Sequence, residues 1–413
     1  MYKNFVDKYF FFLFSIIPIS IVVGATASLI NILIIVFSFL FYVLKENDWG
    51  WLKHKTIKLL FILYVYLIFN SFIALEPSFS WVRNLGFIRF IIFFAAINYF
   101  FNKHEYFKKI FLIWFVFFLI LTFDIFLESA RGSNILGYGQ GDRIFSFFKD
   151  EPVVGSFMSS FFLLIFSYFF QISRNNEKIK NYCILLLSCT FILAIILTGE
   201  RSITIKILIV FFAFYLFINN FNVKEKVISL ILIVSIFLTL FLNSSFLKMR
   251  YYDQFIKLFN SKDAIEKSLN SRVNGRVIYF QLYRSGIEVF KKNPVFGVGN
   301  KNYRVETCTE KRHDDIYLCA SHPHQIYIEL LSEHGLVGAL IILSIIFYLL
   351  FQILKEIQIT RNKIQCAAFL LVLMTFTPLL PSGAFFGDFS LTLFFINFSV
   401  MFAINKSSNI FFK

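Results

Sequence analysis

Residues 321–350, SHPHQIYIELLSEHGLVGALIILSIIFYLL, begin with two histidines one residue apart and end in a long apolar run. An α-helix needs about 20 mostly apolar residues to cross the hydrocarbon core of a bilayer. After Gly335 no charged side chain occurs until Lys355. The stretch therefore predicts a membrane-spanning helix whose entrance carries His322 and His324.

The rest of the chain has the composition of a membrane protein. Of its 413 residues, 58% are hydrophobic and only 16% are charged, with a mean hydropathy of +0.71. Soluble domains average about 45–50% apolar and about 25% charged residues. We therefore predict an all-α polytopic integral membrane protein with one large, partly helical loop. Run lengths predict about twelve transmembrane helices, centred near residues 16, 35, 66, 92, 118, 161, 190, 211, 234, 344, 372 and 395.

The connections between the apolar runs alternate in lysine content. The lysine-rich set covers residues 45–58, 102–109, 173–180, 222–226 and 355–363. The opposite set, such as residues 74–81 and 379–388, has no Lys or Arg. Cytoplasmic loops carry the excess of Lys and Arg, so both termini are predicted to be cytoplasmic. The net charge of +15 is thus assigned to loops beside membrane lipid, and no nucleic-acid partner is predicted.

The chain divides into three predicted segments. Residues 1–243 hold transmembrane helices 1–9, residues 244–325 form a large periplasmic loop, and residues 326–413 hold helices 10–12. Long translocated segments escape the positive-inside bias, so the lysines of this loop do not contradict its position. Cys308 and Cys319 lie in the loop, and an oxidising compartment predicts a disulfide between them. The alternative is two free thiols.

The two histidines occupy the predicted start of the tenth span. Ser321 is a candidate N-cap, and Pro323 fits a first helical turn, where its missing N–H costs nothing. The positive end of the helix dipole disfavours imidazolium, so His324 is a candidate general base for a hydroxyl group. The alternative is a histidine pair hydrogen-bonded to loop backbone. No metal site is predicted, because no further ligands show metal spacing nearby.

Two glycine-containing segments are interpreted as structural. Gly335 and Gly338 lie on one face of the predicted helix, where small residues let a neighbouring helix approach closely. The turn NPVFGVG, residues 293–299, has too few glycines at the wrong spacing for a nucleotide-binding loop. Both segments are therefore predicted to serve packing.

Arginines on the predicted outer side are candidate anion ligands. Arg201 lies in TGERS, residues 198–202, between two apolar runs. Arg272, Arg276 and Arg284 lie on a predicted helix of the large loop. Guanidinium binds phosphate oxygens through paired hydrogen bonds, which favours a phosphate clamp. The alternative is a set of solvated or snorkelling arginines.

A smaller outer loop, residues 128–151, holds accessory candidates. These are Arg143, Asp150 and Glu151. One carboxylate is a candidate for orienting a hydroxyl group or the base histidine; the alternative is that both acids match the dipole of the next helix. Arg83 and Arg89 lie near the outer end of the fourth run, where snorkelling is a sufficient explanation.

A fixed spacing joins the histidine to the glycine pair. His324 is followed by Gln325, nine residues, and then Gly335-Leu336-Val337-Gly338. This pattern resembles the signature of the O-antigen ligase and polymerase superfamily of bacterial envelope enzymes. TGERS resembles the arginine turn of that superfamily, and NPVFGVGNKNYR resembles its outer-loop turn. The resemblance covers most of the chain, with a ligase-related core expected at about residues 185–350.

The resemblance implies a glycosyltransferase of GT-C-like architecture in the bacterial inner membrane, with its active site facing the periplasm. Such an enzyme moves a glycan from undecaprenyl diphosphate to a lipid A–core acceptor, with inversion and without a metal or other cofactor. It makes His324 the base that deprotonates the acceptor hydroxyl. It makes Arg201 and Arg276 holders of the diphosphate, with Arg272 and Arg284 as alternatives.

Other functions are compatible with the same residues. A polymerase would use the same chemistry to join repeat units, with a second lipid-linked glycan as the acceptor. A protein-glycosylating relative is a third possibility. An anion transporter is disfavoured, because transporters bind substrate near the bilayer midplane on broken helices, whereas these polar candidates cluster at one face.

Overall fold

The computed structural model describes residues 2–101, 104–139, 143–149, 151–253, 278–308 and 317–412, which form helices and connecting loops with no β-strand. The helices are α1 (Tyr2–Ser15), α2 (Ile17–Val23), α3 (Ala25–Glu46), α4 (Lys55–Phe72), α5 (Pro77–Gly86), α6 (Ile88–Phe100), α7 (His104–Arg131), α8 (Val154–Ile172), α9 (Lys178–Leu197), α10 (Arg201–Phe217), α11 (Val223–Asn243), α12 (Ile278–Lys292), α13 (Tyr303–Thr307), α14 (Ile326–Thr360), α15 (Lys363–Thr375) and α16 (Asp388–Ala403). Short helical turns accompany them at 50–53, 146–148 and 245–253. The predicted fold class is confirmed.

Eight helices among the described residues are long and apolar enough to cross a membrane. A ninth is obtained if α1 and α2, which bend by 42° at Ile16, form one broken span. Helices α15 and α16 are apolar but shorter. Eleven of the predicted centres fall inside a helix, and the centre at residue 16 falls on the bend. The chain is therefore a multi-pass helical membrane protein, and the count of twelve stays a prediction.

Aromatic packing holds the middle of the bundle together. Every residue of α16 from Leu391 to Ala403 is buried. Phe395 stacks on Phe90 of α6 with ring centroids 5.1 Å apart, and Phe398 packs on Phe94 at 5.3 Å. Helix α11 differs, because only 6% of its apolar stretch is buried. In lipid a helix needs no polar outer face, so α11 lies at the edge of the bundle with its apolar side chains exposed.

The connecting loops gather into two groups at opposite ends of the bundle. One group, here called the histidine face, consists of residues 73–76, 132–139, 143–149, 151–153, 198–200 and 376–387 with the described segments before α13 and α14. Its loops contact one another: Leu75 N–H donates to the Val298 carbonyl at 3.0 Å, and Gly155 N–H donates to Glu200 at 2.6 Å. At the other end, Lys363 N–H donates to Gln171 at 2.8 Å. The fold thus gathers the predicted outer loops together.

Helix α14 is interrupted at Gly335, where the backbone has φ +63° and ψ −170°. The turn at residues 293–299 fills the break: Leu336 N–H donates to the Pro294 carbonyl at 2.8 Å, and Val298 N–H donates to the Ser332 carbonyl at 3.0 Å. A Cβ on Gly335 would overlap the Val295 carbonyl. The prediction of one continuous helical face through Gly335 and Gly338 is therefore wrong, because the unpaired backbone groups at the break bond to the turn instead.

Gly338 does serve close packing, as predicted. A Cβ at this position would overlap the hydroxyl oxygen of Tyr66 on α4. The Tyr66 hydroxyl donates to the His334 carbonyl at 3.3 Å, which joins the same two helices at the break. The glycine spacing therefore combines a backbone break with a helix–helix contact one turn later.

Candidate functional site

The histidine pair lies in the turn that precedes α14. Gln325 is the N-cap of the helix, and its side-chain oxygen accepts a hydrogen bond from Ile328 N–H at 2.9 Å. The prediction that Ser321 is the N-cap, with Pro323 in the first turn, is therefore wrong by four residues. His324 has the left-handed φ of +56°, which turns the chain before the helix can begin.

His324 is held from two sides. On one side is the Gln325 cap, and on the other Ser382 N–H of the loop at 376–387 donates to the His324 carbonyl at 2.8 Å. The His322 and His324 rings lie with centroids 3.9 Å apart, and Ser321 Oγ lies 2.9 Å from His322 Nδ1. The Ser382 backbone also interacts with both imidazole rings, so the loop at 376–387 helps to position them.

Both imidazoles favour the neutral form. Burial lowers the pKa of His324 below its ordinary value. Burial, followed by the positive charges of His324 and Lys301, lowers the pKa of His322 to about 3. A neutral imidazole with an open ring nitrogen accepts a proton, so this geometry suits a general base.

The loop before α10 brings Arg201 to the same face. Glu200 accepts hydrogen bonds from Gly155 N–H at 2.6 Å, Ser156 N–H at 3.2 Å and Ser156 Oγ at 2.6 Å. This carboxylate thus caps the start of α8 and fixes the turn that carries Arg201. Sequence reasoning missed Glu200, although an acidic residue beside Arg in a short loop between apolar runs is a usable signal.

Tyr279 connects the arginine to the histidine. Its ring meets the His324 ring edge-on with centroids 5.9 Å apart. The Arg201 guanidinium interacts electrostatically with Tyr279, Arg143 and Tyr251. One tyrosine of α12 therefore contacts the imidazole and lies within electrostatic range of the guanidinium, which brings the candidate base and the candidate anion ligand to one region of the histidine face.

Arg143 is the second cation of this site. It interacts electrostatically with both Arg201 and Glu200. Its loop is fixed by the buried carboxylates of α7: Glu128 accepts from Phe145 N–H at 3.0 Å, and Asp124 accepts from Ile135 N–H at 2.8 Å. Two guanidinium groups held near each other repel, and an anion between them relieves that repulsion.

The other predicted residues have different outcomes. Arg272, Arg276 and Asp150 lie outside the described residues. Arg284 is exposed on α12, and Glu151 lines a separate cavity near Arg89. Arg83 and Arg89 both form ion pairs with Asp388 of α16, which is a specific partner rather than simple snorkelling. The structure joins Cys308 and Cys319 in a disulfide with a Cα–Cα distance of 4.6 Å.

Sequence reasoning missed Lys206, which is 3% exposed on α10. Its Nζ donates to the Pro381 carbonyl at 3.1 Å, directly before the Ser382 amide that holds His324. Ionisable residues inside a membrane-spanning segment are costly and usually functional. The apolar run ITIKILIV, residues 203–210, contains such a lysine, so the sequence did signal Lys206. Helix α10 therefore carries Arg201 at its entrance and a support for His324 further in.

Glu329 and Glu333 were also missed. Both are fully buried in the first turns of α14 and interact electrostatically with Lys301. Glu329 accepts from Phe385 N–H at 3.0 Å, and Glu333 accepts from Tyr303 N–H at 3.4 Å. Two acids within an apolar helix are the signal that identifies them. They attach the loops of the histidine face to α14.

A comparison with protein families gives one match. A family model described as O-antigen ligase matches residues 184–343. The matched region begins in α9, contains Arg201 and the large loop, and ends in α14 beyond the glycine pair. No curated protein matches the sequence.

Proposed function

We propose that this chain, which belongs to the O-antigen ligase superfamily through residues 184–343, is a ligase that transfers a glycan from undecaprenyl diphosphate to a lipid A–core hydroxyl. The observation that supports this most is that Tyr279 contacts His324 and interacts electrostatically with Arg201. A base for the acceptor and cations for the leaving group are the two requirements of transfer from a lipid diphosphate. The family supplies the enzyme type, a glycosyltransferase of O-antigen processing; the donor and the acceptor are our proposal.

In the proposed reaction, His324 removes the proton from the acceptor hydroxyl as its oxygen attacks the anomeric carbon of the donor sugar. The bond between that carbon and the diphosphate oxygen breaks on the opposite side, so the configuration inverts. The proton ends on the imidazole and then passes to solvent. Burial favours the neutral imidazole before the reaction.

The leaving diphosphate gains negative charge as the glycosidic bond breaks. Arg201 and Arg143 are the described cations that stabilise this charge in our proposal. Losing one preorganised donor of this kind costs about 2.7–4 kcal/mol of barrier. We retain Arg276 as a further diphosphate ligand and Arg272 as its alternative, whereas the exposure of Arg284 makes it the weakest of the three.

We also propose that the histidine face is periplasmic, that the membrane is the bacterial inner membrane and that both termini are cytoplasmic. The lysine-poor loops at 74–81 and 379–388 belong to the histidine face, and the lysine-rich loops lie at the other end of the bundle. The positive-inside rule supports this orientation. Cysteine accessibility labelling of Ser321→Cys in intact cells tests it.

The experiment that tests the function is gel analysis of lipopolysaccharide from a strain in which the chain is deleted. A ligase predicts core without any attached glycan together with accumulated polymer on the lipid carrier. Core that bears a single repeat would instead identify a repeat-unit polymerase with the same chemistry. An unchanged gel would reject both functions.

A further inference from the structure

A cavity of about 200 Å³ lies on the histidine face, away from His324 and Arg201. Its walls are the break between α2 and α3 at Gly24, residues 147–149 and 151, and the start of α16. Pockets for drug-sized ligands measure about 300–1,000 Å³, so this cavity has room for a smaller group such as a single sugar ring. The charged and aromatic side chains that line it indicate what kind of group fits.

Charged side chains of both signs line the cavity. Among the described residues of the wall, Arg89 and Lys149 are cations, and Glu151 and Asp388 carry carboxylates. Their many hydrogen-bond donors and acceptors suit a ligand with several hydroxyl groups. Four ionisable side chains also disfavour a hydrocarbon tail, since burying charge against an apolar chain is costly.

The remaining wall is apolar and partly aromatic. Phe147, Phe148 and Phe389 line it beside aliphatic residues of α2 and α3. A flat apolar surface next to hydrogen-bonding groups matches a pyranose, which has an apolar C–H face and a rim of hydroxyls. Arg89 is one of the lining residues, and its Nε is buried without a hydrogen-bond partner among the described residues, so this arginine keeps an N–H that the described contacts do not use.

The Asp388 carboxylate is held rigidly in this wall. Both Arg83 and Arg89 form ion pairs with it. Two arginines fix its orientation, and its side chain is still 45% exposed. A fixed and accessible carboxylate is an acceptor for sugar hydroxyls, since little conformational entropy is lost when it binds.

Two loops connect the cavity to the proposed catalytic residues. The chain runs from Ser382, which holds His324, to Asp388, and from Arg143 to Lys149. Each stretch advances six residues, and an extended chain covers at most about 3.6 Å per residue, so neither separation exceeds about 22 Å. A short oligosaccharide spans that distance.

We propose that this cavity is a subsite for one sugar residue of a glycan whose reacting end lies at His324. The inference rests on the proposed function for the position of the reacting end. The occupant is a sugar several residues away from the transferred bond. It belongs either to the donor glycan or to the acceptor oligosaccharide, and the experiment distinguishes the two.

The test uses the purified full-length protein in nanodiscs with two variants of the cavity, Ser28→Phe, which fills it, and Glu151→Gln, which removes a charge at an exposed position. Ser235→Phe on the exposed face of α11 is the matched control for the new aromatic ring. Binding is measured in a His324→Ala background with undecaprenyl diphosphate carrying either one sugar or a long glycan, and with the acceptor oligosaccharide. Transfer kinetics are measured with His324 intact.

We expect both cavity variants to raise KM for one glycan substrate about tenfold, with kcat little changed. A tenfold weaker binding corresponds to the loss of one or two hydrogen bonds. A change for the donor assigns the subsite to the donor glycan, and a change for the acceptor assigns it to the acceptor. Binding of the single-sugar lipid should not change, and Ser235→Phe should behave as wild type.

Two results would overturn the subsite. One is unchanged KM and binding for every glycan in both cavity variants; the other is equal weakening of the single-sugar lipid, which would make the cavity a lipid site. The proposed function fails separately. If the wild-type protein transfers nothing but Ser28→Phe still weakens binding of the long glycan selectively, the subsite stands and the reaction is rejected.

Discussion

Helices α10 and α14 both bring a polar side chain to the histidine face, but they support it by opposite means. Helix α10 is continuous and uses a buried cation, because Lys206 donates to the Pro381 carbonyl. Helix α14 is broken and uses buried carboxyl groups, because Glu329 accepts from Phe385 N–H. Both supports attach to the same loop at 376–387, and Ser382 between them holds His324.

The difference separates two kinds of ionisable residue. Those at the helix entrances, Arg201 and His324, are partly exposed and available to a ligand. Those one or more turns deeper are buried and bonded to backbone groups of a loop. Substitutions at the entrances should therefore abolish chemistry and leave the fold intact, whereas substitutions deeper in the helices should act through position or stability.

The largest expected effect is that of His324→Ala. Removal of a general base lowers the rate of the catalysed step by about 10²–10⁴-fold. Because the variant keeps the His324 backbone and its hydrogen bond from Ser382 N–H, the thermal unfolding temperature should stay within a few degrees of wild type. Transfer is measured with purified donor and acceptor. His54→Ala at the other end of the bundle is the control. Normal transfer by His324→Ala would show that His324 is not the general base.

Arg201→Lys should have the next largest effect on transfer. Lysine keeps the charge but lacks the paired contacts of guanidinium, so kcat should fall about 10²-fold, near the lower end for the loss of one preorganised donor. Arg131→Lys, an exposed arginine at the end of α7, should leave kcat unchanged. Equal kinetics for the two variants would show that Arg201 serves only as a surface cation.

Gly335→Ala tests how much the break in α14 contributes to stability. The new Cβ would meet the Val295 carbonyl at a backbone position with φ +63°, so overpacking and backbone strain together should cost about 2–5 kcal/mol. Gly137→Ala has a similar φ of +82° but open space around it, and should cost only the strain. Denaturation in mild detergent measures both. Equal losses would mean that the turn at 293–299 does not support the break.

Lys206→Met should lower kcat about 10–100-fold, since a hydrogen bond from a charged group that positions the histidine loop is lost. KM should change less, because Lys206 does not reach the ligand. Stability should change little, as a hydrophobic residue replaces a buried charge. Lys206→Arg should restore part of the rate. Lys226→Met, which removes a similar bond to the Leu216 carbonyl at the other end, is the control.

The smallest effect concerns pH. A lowered pKa keeps His324 neutral when the medium is acidified, so kcat/KM should stay on its plateau through pH 6.5 and fall only below it. An exposed histidine would already have lost half of its base form there. Stability should also decline below pH 6.5, because the unfolded chain then binds more protons than the folded one. A half-maximal rate at pH 6.5 or above would contradict the burial of the base.

The residues at the helix entrances could be identified from the sequence, whereas most of the contacts that hold them in place could not. His324 and Arg201 stand out because polar side chains at the ends of apolar runs are conspicuous. Their supports involve partners far apart in the chain, such as Lys206 and Pro381, 175 residues away. The wrong N-cap has a local cause: Ser321 has a strong capping preference, but the left-handed turn at His324 delays the helix until Gln325 can cap it.

Membrane class, helical fold and the chemically important side chains follow from the order of residues alone, because the length of an apolar run and the side chains at its ends are local properties. The break at Gly335, the contact of Tyr279 with His324 within electrostatic range of Arg201, and the cavity beside Asp388 follow from packing. Each of these depends on backbone groups and charges from distant segments satisfying one another, and no local pattern contains that information.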